Sequence, residues 1–145
     1  GGRPDFSGLW LNTEIEGDAE AFFADGLQLG WVQRKAMAAA AYGKNKLTHT
    51  IAQDEAGLTL TMSLPSVQTY RQVFGQTCET ADKNGDTSRI RYEWAADGRG
   101  GQVLQGECVD GKTFDLTRSM VGDKMCVELS FPRKGLSMKR LFTRQ

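Results

Sequence analysis

The chain has 145 residues, with 18 Lys and Arg against 18 Asp and Glu, and so carries no formal net charge. One domain of this size buries roughly two-thirds of the surface its unfolded chain exposes, so disulfide stapling is unnecessary. Zero net charge supplies no long-range pull toward nucleic acid or an anionic membrane, and the longest apolar run, Ala36 to Tyr42, is far short of the ~20 residues of a membrane span.

After Pro4 the pattern predicts a strand from Phe6 to Ile15, closed by Gly17-Asp18, with Asp18 placed to cap a helix. Two helical pieces follow, Ala19 to Asp25 before Gly26 and the alanine-rich Trp31 to Tyr42 before Gly43. From Asn45 onward the periodicity is two. It predicts strands at Leu47–Ile51, Leu58–Leu64, Val67–Phe74, Gln76–Thr80, Ile90–Trp94, Val103–Val109, Phe114–Met120, Met125–Phe131 and Leu136–Phe142. Turn residues separate them, among them Glu55-Ala56-Gly57, Lys83 to Asp86, Asp97 to Gly101, Asp110-Gly111, Gly122-Asp123 and Lys134-Gly135. About ten short antiparallel strands with one helical pair after the first predict a single mainly β domain: an up-and-down barrel capped by a helix-turn-helix over residues 18–43.

Two positions break the apolar faces of these strands. Phe114, Leu116, Arg118 and Met120 share one face, as do Leu136, Met138, Arg140 and Phe142. A guanidinium on a buried face is expensive unless an anion answers it, because an unpartnered buried charge costs about 3–5 kcal/mol. No inward-facing carboxylates occur in these two strands, so part of the counter-charge is expected from a ligand. The plain alternative is an internal salt-bridge network, or an apolar face that points outward.

These landmarks resemble the intracellular fatty-acid-binding and retinoid-binding proteins, members of the calycin, lipocalin-like superfamily, over nearly the whole chain. Phe6-Ser7-Gly8-Leu9-Trp10 resembles the family's opening F-x-G-x-W, and Gly30 to Lys35 its second-helix G-F-x-x-R-K. Phe74 to Glu79 is similar to L-G-x-x-F-x-E, and Asp110-Gly111-Lys112 to the W-D-G-K/Q turn. The resemblance implies a ten-stranded antiparallel barrel around a lipid cavity. It places Arg118 and Arg140 on the two ligand-binding arginines, with Leu116, Val127 and Leu129 on cavity positions.

The chain departs from the family at several points. Phe142 replaces the tyrosine that completes the carboxylate site, Asn12 stands where an aliphatic residue is usual, and Asp18 where an aromatic is. Phe22 and Phe23 lie a few residues later, implying a short insertion or shifted first helix, and the Phe131 to Gly135 hairpin is about two residues long in excess. The implied function is a cytoplasmic, also nuclear, monomeric carrier of a fatty acid or other hydrophobic carboxylate, with no cofactor, no nucleic-acid partner and no catalysis. Transient membrane contact would use the cap, where Arg34, Lys35, Lys44 and Lys46 cluster, although such clusters are more often plain solvated surface. A retinoid carrier, or an enzyme or pigment-binding module on the same barrel, is the alternative.

Other signals carry less. Asp82, Asn84, Asp86 and Glu93 fit four positions of a calcium loop, but Thr87 stands where its glycine belongs, so a polar turn is expected and no metal. His49 is the single histidine, which excludes a multi-histidine metal site and predicts an ordinary strand residue. Cys78, Cys108 and Cys126 form an odd set without metal-ligand spacing, and no secretory signal pattern or Asn-x-Ser/Thr acceptor is present, which together predict free thiols in a reducing compartment.

Overall fold

A computed structural model describes residues 4–64, 66–81, 87–94, 102–108 and 113–145. The expected turns at Lys83–Asp86, Asp97–Gly101 and Asp110–Lys112 lie wholly outside these residues, as does most of the calcium-like segment, from Asp82 to Asp86. Among the described residues the chain is mainly β. Strands β1 (Gly8–Gly17), β2 (Thr48–Gln53), β3 (Gly57–Met62), β4 (Gln68–Val73), β5 (Thr77–Ala81), β6 (Thr87–Trp94), β7 (Gln102–Cys108), β8 (Thr113–Val121), β9 (Lys124–Phe131) and β10 (Leu136–Arg144) form one sheet. Its order is β4-β3-β2-β1-β10-β9-β8-β7-β6-β5, and every ladder is antiparallel. The sheet curls into a half-barrel. Strands β4 and β5, at its two ends, share no described ladder.

Strands such as β2, β9 and β10 stand where period-two patterning puts them because each has one face to bury. β1 is the exception in phase. A bulge between Asn12 and Glu14 changes its register against β10, so the inward side passes from Trp10 and Asn12 to Ile15, and both Glu14 and Glu16 stay exposed. At the last hairpin, Pro132–Lys134 makes a 3₁₀ turn closed by Gly135 at φ 67, which accounts for the extra length of that loop.

The cap comprises α1 (Ala19–Ala21), a π-helical turn over Phe22–Gly26, and α2 (Trp31–Ala39). Asp18 caps α1 through a side-chain bond from the Ala21 amide at 2.9 Å. Helix α2 ends three residues before the expected Tyr42, because Ala41 and Tyr42 take left-handed φ values of 51° and 55°. Two apolar clusters anchor the fold. One gathers Phe6, Trp10, Ile51, Leu58, Met125 and Phe142 at the Trp10 end, while the other joins Phe22 and Phe23 of the cap to Phe131 and Met138. Trp10 is fully buried, donates from Nε1 to the Phe6 carbonyl at 2.9 Å, and is covered by the Arg144 guanidinium at 4.2 Å.

Candidate ligand-binding cavity

Between those clusters lies a largely apolar cavity of about 690 Å³. Its wall follows from the register of β8, β9 and β10, which sets inward side chains in transverse rows. Leu116, Leu129 and Met138 form one row, Arg118, Val127 and Arg140 the next, and Met120, Met125 and Phe142 the third. Arg118 and Arg140 therefore flank Val127 on adjacent strands, roughly 10 Å apart backbone to backbone. Leu116, Arg118, Val127, Leu129 and Arg140 line the cavity.

Phe142 does not line it, and this corrects its expected role as a ligand contact. It lies one row nearer the Trp10 end, fully buried, with its ring centroid 4.5 Å from that of His49. An apolar ring in that row gains more from the core than from the cavity. Among the other inward aromatic and methionine side chains, Met62 and Tyr92 reach the cavity, whereas Met125, Trp94 and Met138 pack into the two clusters.

The two arginines are served differently. Arg140 donates from one terminal nitrogen to Asn12 Oδ1 at 2.8 Å and to the Tyr42 carbonyl at 2.5 Å. Asn12 is itself held by donating from Nδ2 to the Glu14 and Leu141 carbonyls. The Tyr42 carbonyl is presented by the left-handed turn after α2, where Gly43, at φ 92, lets the backbone approach. A Cβ on Gly43 would sit 3.1 Å from Leu47 Cβ and 3.3 Å from the Arg140 guanidinium. Burial lowers the Arg140 pKa to about 10, which leaves it charged at neutral pH.

Arg118 is only 1% exposed. Its bonds are soft, a long one to His49 Nδ1 at 3.4 Å and one to the weak acceptor Met125 Sδ at 3.3 Å, and its Nε has no hydrogen-bond partner. Among the described residues neither guanidinium pairs with a carboxylate. Burial, and then the positive charges of Arg118 and Arg140, hold the His49 pKa well below its ordinary 6.5. The imidazole is therefore neutral at pH 7. Since its Nδ1 accepts from Arg118, its proton sits on Nε2, and the ring offers the cavity it lines an N–H donor.

The sequence pattern marks His49 only as a plain strand residue and Asn12 only as a departure from a motif, and it does not single out Gln72. Gln72 lines the cavity from β4 at 2% exposure, and its Oε1 has no hydrogen-bond partner. Its signal was present in the sequence, for it shares the inward face of β4 with Tyr70, much as the arginines share theirs with leucine and methionine. Among the described residues no group of three His, Cys, Asp or Glu could hold a metal ion.

A capped, curled antiparallel sheet around an apolar cavity is a calycin-like fold. No protein-family model and no curated protein matches the sequence. A solved structure does match: a tyrosine-to-phenylalanine mutant of the REP1-NXSQ fatty acid transporter, with a TM-score of 0.77 over 97% of this chain and 98% of that one, at 20% identity. The chain thus has a fatty-acid-binding-protein-like fold, as its motifs predicted.

Proposed function

We propose that this protein is a non-catalytic carrier that reversibly takes up a long-chain fatty acid or similar hydrophobic carboxylate, its head group held by Arg118 and Arg140. The observation that carries this reading is Arg118, a buried permanent cation in a cavity wall, with soft partners, one orphaned N–H and no described carboxylate. A carboxylate supplies both the charge and the paired acceptors that a guanidinium fork takes. Arg140 lies across Val127 and adds a second positive charge, and the His49 Nε2–H takes the place of a missing tyrosine hydroxyl. Leu116, Val127 and Leu129 contact the chain beyond the head group, where burial contributes about 0.8 kcal/mol per CH₂.

The full fold in this reading is a closed ten-stranded barrel, monomeric and cytoplasmic. The free thiols of Cys78 and Cys126 suit a reducing compartment. Ligand enters past the cap, whose exposed Trp31 and Val32, at 65% and 72%, with Lys35 over the Trp31 ring at 5.0 Å, form a surface suited to passing contact with a membrane. Titration of the wild type and Arg118→Leu with palmitate and with methyl palmitate tests the head-group site. The variant should lose about 10- to 100-fold in palmitate affinity and little for the ester. Equal losses for both would remove the anion site from the reading.

A further inference from the structure

We propose that the cavity contains a second polar subsite at Gln72, which takes a hydroxyl carried on the ligand's tail. The inference rests on the carrier reading above. Gln72 sits directly across from the fully buried Leu58, beside the apolar inward face of β3, and shares its own face of β4 with Tyr70 and Gln68, which bond to each other. Its side chain lines the cavity, yet its Oε1 meets no donor. Buried polar atoms in folded proteins almost always have a partner in the protein, in ordered water or in a ligand. A hydrocarbon tail laid against this amide would strip it of water and offer nothing in return. An unsubstituted fatty acid is therefore a poor match for this wall, and a hydroxylated one is a good match.

The register fixes where the hydroxyl belongs. His49, in the head-group region, faces Met62 on β3, which faces Gln68 on β4, and Gln72 lies four residues further along that strand. Two strand spacings and four residues amount to roughly 16 Å along the sheet, backbone to backbone. The hydroxyl thus sits far down an extended tail rather than beside the carboxylate. A hydroxyl both donates and accepts, so it satisfies the amide whichever way its two ends are turned.

Titration with stearate, 12-hydroxystearate and 2-hydroxystearate tests this. The wild type should bind 12-hydroxystearate about tenfold more tightly than stearate, and 2-hydroxystearate no more tightly than stearate. Gln72→Met should bind stearate more tightly than the wild type does, since the tail no longer desolvates an amide, and should abolish the preference. Equal affinity of the wild type for stearate and 12-hydroxystearate, as expected if ordered water already serves Gln72, overturns the inference, as does a preference that persists in Gln72→Met. The wild-type comparison stands without the variant should Gln72→Met fail to fold. Stearate binding with no hydroxyl preference would overturn the subsite and leave the carrier reading in place, whereas failure to bind all three would remove the carrier reading itself.

Discussion

Arg118 and Arg140 occupy equivalent positions on the two strands either side of β9, flank the same valine and face the same cavity, yet they live in different surroundings. Around Arg140 the fold has built acceptors: a buried asparagine oxygen and a carbonyl delivered by a turn with left-handed residues. Around Arg118 it has built almost none, only an imidazole nitrogen at long range and a thioether sulfur, a weak acceptor. The difference teaches that burial of a charge has two meanings. One arginine ties strand to cap, and the other is left with two soft partners and an unpartnered Nε.

Replacing each arginine by leucine separates these roles. Arg140→Leu leaves Asn12 Oδ1 and the Tyr42 carbonyl without their donor, and should destabilise the ligand-free protein by about 3 kcal/mol in a denaturant titration. Arg118→Leu should change that stability by less than about 1 kcal/mol in either direction, because an underserved buried charge exchanges well for an apolar side chain. Its effect should appear instead as the palmitate-selective loss. If Arg118→Leu proved the more damaging to the empty fold, the contrast between the two sites would collapse.

Acidification probes the ground between them. The unfolded chain protonates His49 near its ordinary 6.5, while the folded chain resists until well below that. The unfolded state then binds more protons, so stability should fall as pH drops below 6.5, no more steeply than about 1.4 kcal/mol per pH unit from this residue. His49→Gln should flatten that part of the profile. Carboxylates such as Asp54, held below its ordinary 3.8 by Arg71 and by backbone amides, begin to lose their contribution only at lower pH, so the two losses set in at different points of the titration. The smallest effect belongs to the entry to the cap. Asp18→Ala removes the bond to the Ala21 amide and should cost about 1 kcal/mol, with palmitate affinity nearly unchanged.

The sheet was legible in the sequence because β-strands announce themselves locally, through alternation and turn residues, and the arginines were legible because a charge on an alternating apolar face has a plain cost. What escaped was set by distant contacts. The Asn12 bulge changes phase within β1, and alternation alone cannot mark the residue at which that happens. The early end of α2 depends on Arg140 gripping the Tyr42 carbonyl and on Tyr42 stacking against Phe23 at 6.1 Å, neither of which an alanine-rich helical run reveals. Phe142 kept its inward face but fell in the row beyond the cavity, which is a matter of depth along the strand rather than of side. His49 and Gln72 carried the same signal as the arginines, in neutral form: a polar side chain among inward apolar neighbours.

The neutrality of the two acceptors around Arg140 has an electrostatic consequence for the whole molecule. Eighteen basic residues balance eighteen acidic ones, and the only charges buried among the described residues are the two guanidiniums. The rest of the chain must then carry a net charge of about minus two. Among the described residues the buried charge is wholly positive, although the chain as a whole is formally neutral. A single carboxylate in the cavity would offset half of that buried charge, leaving the loaded protein one unit more negative than the empty one to any surface or partner that meets it.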